Sequence, residues 1–147
     1  MLIRPATSAD IPSILALERA SPPAAHWSEA EYHHIFESNE PRRLALVFER
    51  QGVRAFLVAR TTTPEWELEN IVVAEDNRRQ SLATMLVREL QQHARTEGAH
   101  AIFLEVRQSN TAARALYHGC GFEITGRRFG YYRCPEEDAI IYTCCIK

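Results

Sequence analysis

Long apolar runs are missing from this sequence. No stretch approaches the roughly 18 residues that a membrane-spanning helix needs. A dominant charge is missing too: 17 basic residues stand against 19 acidic ones, for a formal net charge of −2. The broad positive field that nucleic acid or an anionic membrane attracts is therefore absent. The opening MLIRPATSADIP lacks the layout of a secretory signal. These absences predict a soluble, cytoplasmic protein, a monomer or weak dimer, with neither nucleic acid nor membrane as partner. Cysteines are few, and Cys120, Cys134, Cys144 and Cys145 form no C-x-x-C and no zinc-site spacing with histidine. Cys144 and Cys145 are neighbours on a predicted strand and so face opposite sides. His33 and His34 diverge on a helix. No metal is expected. Repeats and domain-dividing linkers are lacking as well, so residues 1–147 read as a single domain able to bury one core.

What remains is a dense alternation of strand and helix signals. LIRPAT at 2–7 reads as a first strand, after which Thr7 or Ser8 can cap a helix with Pro12 in its first turn and Ile11, Ile14, Leu15 and Leu17 as its apolar positions. Ser28-x-x-Glu31 is a capping box opening a second helix over about 28–38. RLALVFER and VRAFLVAR around Gly52 form a hairpin, and WELENIVV is the next strand. Leu82, Leu86 and Leu90 mark a helix that Gly98 ends. AIFLEV at 101–106 reads as a strand buried on both faces. NTAARALYHG is a short helix, and FEITGRR and DAIIYTCCI are two further strands. The resulting order, βααβββαβαββ, predicts an α/β fold with mixed strand directions.

The loop between WELENIVV and its helix carries the clearest chemistry. Arg78, Arg79, Gln80, Ser81, Leu82 and Ala83 bring two cations and small residues to a helix N-terminus. Unpaired N–H groups and the helix dipole favour an anion there, and small residues let the backbone approach a pyrophosphate. The competing reading is a solvated loop in which Ser81 is simply the N-cap.

Arg78-x-x-Ser81-x-Ala83 resembles the acetyl-coenzyme A loop of the GNAT superfamily of N-acetyltransferases, with Ser81 where that pattern has its first glycine. Asn110, Ala113, Leu116, Tyr117, Gly121 and Phe122 fill every position of the superfamily's second signature, N-x-x-A-x-x-L-Y-x-x-x-G-F. LEVRxSN, HWSE at 26–29 and the YY…EDAIIY tail are similar to the ribosomal-protein-alanine N-acetyltransferases. The resemblance implies a single-domain GNAT fold: a mixed, twisted sheet of six or seven strands with helices on both faces, its central parallel strands splayed around the cofactor. It also implies acetyl-CoA as cosubstrate, met by backbone groups of Ile71, Val72 and Val73, by Arg78 and by the Arg79–Thr84 loop (Arg79, Gln80, Ser81, Leu82, Ala83, Thr84), with Asn110 beyond the thioester. Glu105 falls at the general base and Tyr117 at the general acid. The implied acceptor is a protein N-terminus, in that subfamily an alanine of a small-subunit ribosomal protein.

Those two residue types suit the reaction. An α-amino group has a pKa of about 7.7–8.0 and must lose a proton before attack, which a carboxylate in reach can take. A phenol holds a proton for the departing thiolate. Both residues also have ordinary readings: Glu105 paired with Arg107 or Arg114, and Tyr117 as a core aromatic. Tyr131 and Tyr132 either flank the peptide N-terminus or pack as a hairpin pair. Two other functions stay open: acetylation of a small amine or lysine side chain, and a non-catalytic CoA-binding module, suggested by Ser81.

Overall fold

A computed structural model describes residues 2–22, 24–78 and 81–146. Its elements are β1 (Ile3–Pro5), α1 (Ile11–Arg19), α2 (Glu29–Glu37), β2 (Arg43–Glu49), β3 (Val53–Arg60), β4 (Glu65–Val73), α3 (Leu82–Thr96), β5 (Ala101–Arg107), α4 (Thr111–Gly119), β6 (Glu123–Tyr132) and β7 (Glu137–Cys145), with 3-10 turns at Ser8–Asp10 and Glu75–Asn77. The order is the predicted one, and local chemistry sets most boundaries. Ser28 Oγ accepts from the Glu31 N–H at 3.1 Å while Glu31 Oε1 accepts from the Ser28 N–H at 2.9 Å, closing the capping box of α2. Past α3, Gly98 takes φ +77°. Its N–H bonds to the Arg95 carbonyl at 3.2 Å and that of Ala99 to Ala94 at 2.9 Å, a Schellman closure. The start of α1 departs from expectation. The helix begins not at Thr7 or Ser8 but after the 3-10 turn, because Asp10 holds that turn. Its carboxylate accepts from the Thr7 N–H at 2.8 Å and takes both prongs of Arg4 at 2.9 Å. Hydrogen bonding to Arg4 keeps the Asp10 carboxyl below its ordinary pKa.

The strands form one sheet in the order β1-β2-β3-β4-β5-β7-β6. Every neighbouring pair is antiparallel except β4 and β5. Those two run parallel and meet only where Glu65–Glu67 lies against Ala101–Phe103. Beyond that point they part, while β5 stays paired with β7 along its whole length. β4 also carries a bulge: Val58 faces Asn70 and Ala59 faces Leu68, leaving Glu69 without a partner on β3. The extra residue keeps Ile71 and Val73 on the same face as Trp66 and Leu68, packed toward α3, and turns Asn70 and Val72 to the opposite face.

Helices cover both faces. On one, Leu82, Leu86, Val87 and Leu90 of α3 pack with Phe48, Leu57, Trp66 and Ile102, joined by Tyr117 of α4. On the other, Ile11, Ile14 and Leu15 of α1 and Tyr32 of α2 pack with Val47, Phe56, Val58 and Val72. Each large apolar side chain so buried contributes about 1.5–3 kcal/mol. The second cluster draws only on β2, β3 and β4 among the strands. The expectation that AIFLEV is buried on both faces is therefore half right. Ile102, Leu104 and Val106 are buried, whereas Phe103, Glu105 and Arg107 are only partly buried, because α1 and α2 stop short of β5.

Candidate active site

Where β4 leaves β5, a cavity of about 540 Å³ opens. Its walls are residues 67–71 of β4, residues 104–107 of β5, Asn110, Ala113 and Tyr117 of the α4 region, and Tyr131 and Tyr132 of β6. Part of the segment joining α1 to α2 closes one side, with Ser21, Ala25 and Trp27 among its lining residues.

Strand alternation turns Glu105 away from buried Leu104 and Val106 and into this space. Its Oε1 lies 3.2 Å from Arg128 Nε on β6, and its side chain is 14% exposed. Oε2 is buried without a hydrogen-bond partner. Neither arginine proposed from sequence as its partner is available. Arg107 pairs with Glu137 at 3.2 Å and covers the Tyr132 ring at 4.3 Å. Arg114 donates to the Tyr142 hydroxyl and the Gln108 carbonyl, each at 3.0 Å. Tyr117 is a core aromatic that also reaches the cavity. Its ring packs against Phe122 and Tyr142 at centroid distances of 5.8 and 6.2 Å, and the residue also lines the cavity. Burial pushes its phenol pKa well above the ordinary value, so it stays protonated.

The other candidates fall into place unevenly. Asn110 caps α4, its side chain accepting from the Ala113 N–H at 3.2 Å, and lines the cavity. Ile71, Val72 and Val73 pair with Leu57, Phe56 and Ala55 on β3. Among the described residues their other edge has no strand partner, so the backbone groups that strand alternation turns to that edge are open to a ligand, apart from the Val73 carbonyl. Arg78 folds back to donate to the Val73 carbonyl at 3.4 Å. Leu82 is buried in the core, and Ala83 and Thr84 are half-buried. Arg79 and Gln80 lie outside the described residues. Ser81 corrects the capping expectation. It precedes α3 in the left-handed conformation, φ +62° and ψ +20°, and its hydroxyl makes no cap bond. A capping side chain normally projects from extended backbone; Ser81 instead adopts the shape a glycine would take. Tyr131 and Tyr132 form the hairpin pair, edge to face at 5.1 Å, and both also line the cavity.

Two further carboxylates escaped the sequence reading. Glu67 and Glu69 of β4 line the cavity. Glu67 meets Arg60 at 2.6 Å, and Glu69 takes Arg43 at 2.7 and 3.2 Å. Burial pushes the Glu67 carboxyl pKa up; Arg60 opposes the shift, and nearby Glu69 and Glu105 reinforce it. The acid–apolar alternation of WELE is visible in the sequence, but not the gap it faces. Among the described residues no three His, Cys, Asp or Glu side chains converge on a metal position. The site instead offers a carboxylate with one unfilled oxygen, a protonated phenol and an open strand edge in one cavity. That is equipment for taking a proton, donating a hydrogen bond and docking an extended ligand.

Residues 11–122 match the model of the Acetyltransferase (GNAT) family. The chain is 35% identical over 139 residues to ribosomal protein bS18-alanine N-acetyltransferase of Escherichia coli (strain K12), spanning 88% of this chain and 94% of that protein. It superposes on the crystal structure of the ribosomal-protein-S18-alanine N-acetyltransferase from Escherichia coli with a TM-score of 0.86 and 31% identity, covering 99% of this chain and 93% of the other. The ribosomal-protein-alanine N-acetyltransferase from Brucella melitensis shares the fold at a TM-score of 0.85 and 24% identity, over 99% of each chain. With that match along most of its length and a parted β4–β5 pair at its centre, this chain belongs to the GNAT family of acetyltransferases.

Proposed function

We propose that this enzyme transfers acetyl from acetyl-CoA to the N-terminal α-amino group of a protein, a ribosomal protein beginning with alanine, in the cytoplasm. The observation that carries the proposal is the shared cavity of Glu105 and Tyr117, bordered by the open edge of β4. The relatives' activity on ribosomal protein bS18 supplies the acceptor. Acetyl-CoA suits the site: the backbone groups that the Ile71–Val73 stretch turns to the open edge of β4 can bond an extended amide-bearing arm, with Arg78 yielding the Val73 carbonyl, and the cavity has room for the thioester end. When bound, it supplies an activated acetyl group.

In this reading Glu105 takes the proton of the incoming ammonium on Oε2, while Arg128 keeps Oε1 occupied. The neutral amine then attacks the thioester carbonyl directly, both reactants being held in one complex. The C–N bond forms, the C–S bond breaks, and the nitrogen's second proton passes to the departing thiolate, giving the amide and free coenzyme A. Tyr117 faces the departing sulfur. A thiol has a parent pKa near 8.5 by analogy with cysteine. The phenol, raised above its usual value, therefore contributes chiefly a hydrogen bond to the developing thiolate charge. The test is acetylation of alanine-starting peptides that also contain lysine, with mass spectrometry locating the label. Acetyl on the α-nitrogen is expected. Label on lysine ε-nitrogens, or only on small free amines, would replace this acceptor with another.

A further inference from the structure

One buried carboxyl group has no part in the reaction above. Glu18, at the end of α1, is 2% exposed. Among the described residues its hydrogen-bond partners are uncharged donors. Oε1 accepts from the Tyr32 hydroxyl at 2.6 Å, the Trp27 N–H at 2.9 Å and Asn70 Nδ2 at 3.1 Å. Asn70 Nδ2 also donates to the Tyr32 oxygen at 3.0 Å, and Asn70 Oδ1 accepts from the Ala25 N–H at 3.4 Å. A buried carboxyl group is costly unless its oxygens are satisfied. Glu18 continues the stripe of Ile11, Ile14 and Leu15, where an apolar side chain would pack without that cost.

The network has a direction. Glu18 and Tyr32 lie outside the cavity, whereas Asn70, Ala25 and Trp27 line it. Two of the backbone N–H groups held by the network, those of Ala25 and Trp27, belong to the segment joining α1 to α2. Asn70 belongs to β4, beside the bulge at Glu69 and next to Ile71. One buried carboxyl oxygen thus ties the cavity's irregular wall to its strand wall. Trp27 is fixed further by its ring contact with Tyr32 at 5.5 Å and by Arg43 over its indole at 5.2 Å.

We propose that Glu18 is a positioning residue for the acceptor: with Tyr32 and Asn70 it fixes the segment carrying Ala25 and Trp27 in the shape that receives the acceptor's peptide chain. The proposal rests on reading the cavity as the seat of a protein N-terminus. Loops carry unfavourable ordering entropy into binding, and holding one in its bound shape beforehand removes that cost. Glu18 touches no reactant, so its effect falls on acceptor binding and leaves the chemical step alone.

The test uses Glu18→Gln and the gentler Tyr32→Phe in the full chain, with an alanine-starting peptide as acceptor. KM for the peptide should rise about tenfold, the loss of roughly one hydrogen bond, with kcat at saturation and the calorimetric Kd of acetyl-CoA unchanged. Amide exchange at Ala25 and Trp27 should quicken while α3 and β5 keep their protection. The double variant should be no worse than the worse single one, since both act through one network. An unmoved peptide KM overturns the proposal, as do parallel losses of kcat, cofactor affinity and melting temperature. If the wild type acetylates no peptide, the acceptor reading fails by itself. Exchange then decides: quickening confined to the Ala25–Trp27 segment upholds the clamp, and unchanged exchange there overturns it.

Discussion

Glu105 enters the cavity with one oxygen committed to Arg128 and the other without a partner. Tyr117 lines the same space with a phenol that burial keeps protonated. Glu105→Gln removes the proton acceptor, and Tyr117→Phe removes the donor, while each preserves shape. Turnover should fall by roughly 10²–10⁴-fold in each variant, with acetyl-CoA affinity retained, as steady-state kinetics beside calorimetry would show. Ser81 makes a different prediction. A non-glycine residue in the left-handed region carries about 1–2 kcal/mol of strain, and glycine gives back about 0.5–1 kcal/mol through chain entropy. Ser81→Gly should therefore stabilise the protein by roughly 0.5–1 kcal/mol in urea denaturation. Ser81→Ala should stay within about 0.5 kcal/mol, because the hydroxyl makes no cap bond. Glu105, Tyr117 and Asn110 were legible from the family motif. Arg128 was not, because β7 inserts between β5 and β6, and no local spacing announces a partner two strands away.

At the scale of elements, α2 depends on its first turn. It is nine residues long and exposed on much of its surface, too short to hold itself in water without packing and caps. Ser28→Ala opens the capping box and should cost about 0.5–2 kcal/mol, visible as a melting temperature a few degrees lower. The element order was readable throughout because hairpins, caps and helix periodicity are signals between near neighbours. Features that need distant strands were not. The bulge at Glu69 is a mismatch between β3 and β4 that neither strand shows alone. Glu18 did leave a trace: it stands at the seventh position after Ile11, on the core stripe, where an acid needs a reason. Leu17, read as part of that stripe, is only half-buried.

For the whole molecule, the carboxyl pKa shifts set the acid limit. Hydrogen bonds hold Asp10, Glu31, Glu137 and Asp138 below their ordinary values of 3.8 and 4.5. Folded-state pKa values below the unfolded ones give stability that is present above about pH 4.5 and lost as pH falls through them. Glu67, raised by burial, works in the opposite sense, alone against four. On the alkaline side, burial raises Cys120 and Cys144 from 9.0, and Tyr32 and Tyr117 from 10.0. The folded state keeps those protons after the unfolded chain has lost them, so stability declines as pH rises past about 9. Thermal melts across pH should give a plateau between roughly pH 5 and 9 with a fall on each side; a midpoint still climbing below pH 4 would contradict it.

The short meeting of β4 and β5 also makes the sheet two plates joined by a narrow seam. β1–β4 precede residue 74 and β5–β7 follow residue 100, so chain order and plate order coincide. Along the seam the backbone ladder extends only from Glu65 to Glu67, and past it the facing strand edges are left without a strand's worth of bonds. Acetyl-CoA bound there, as proposed, would be a rivet as well as a reagent. Coenzyme A alone, at 100 times its Kd, should stabilise the folded protein by about 2.7 kcal/mol. Amide exchange would slow first on the facing edges of β4 and β5 and least on the outer strands β1 and β6. Each round of catalysis would then loosen and refasten the enzyme at its own midline.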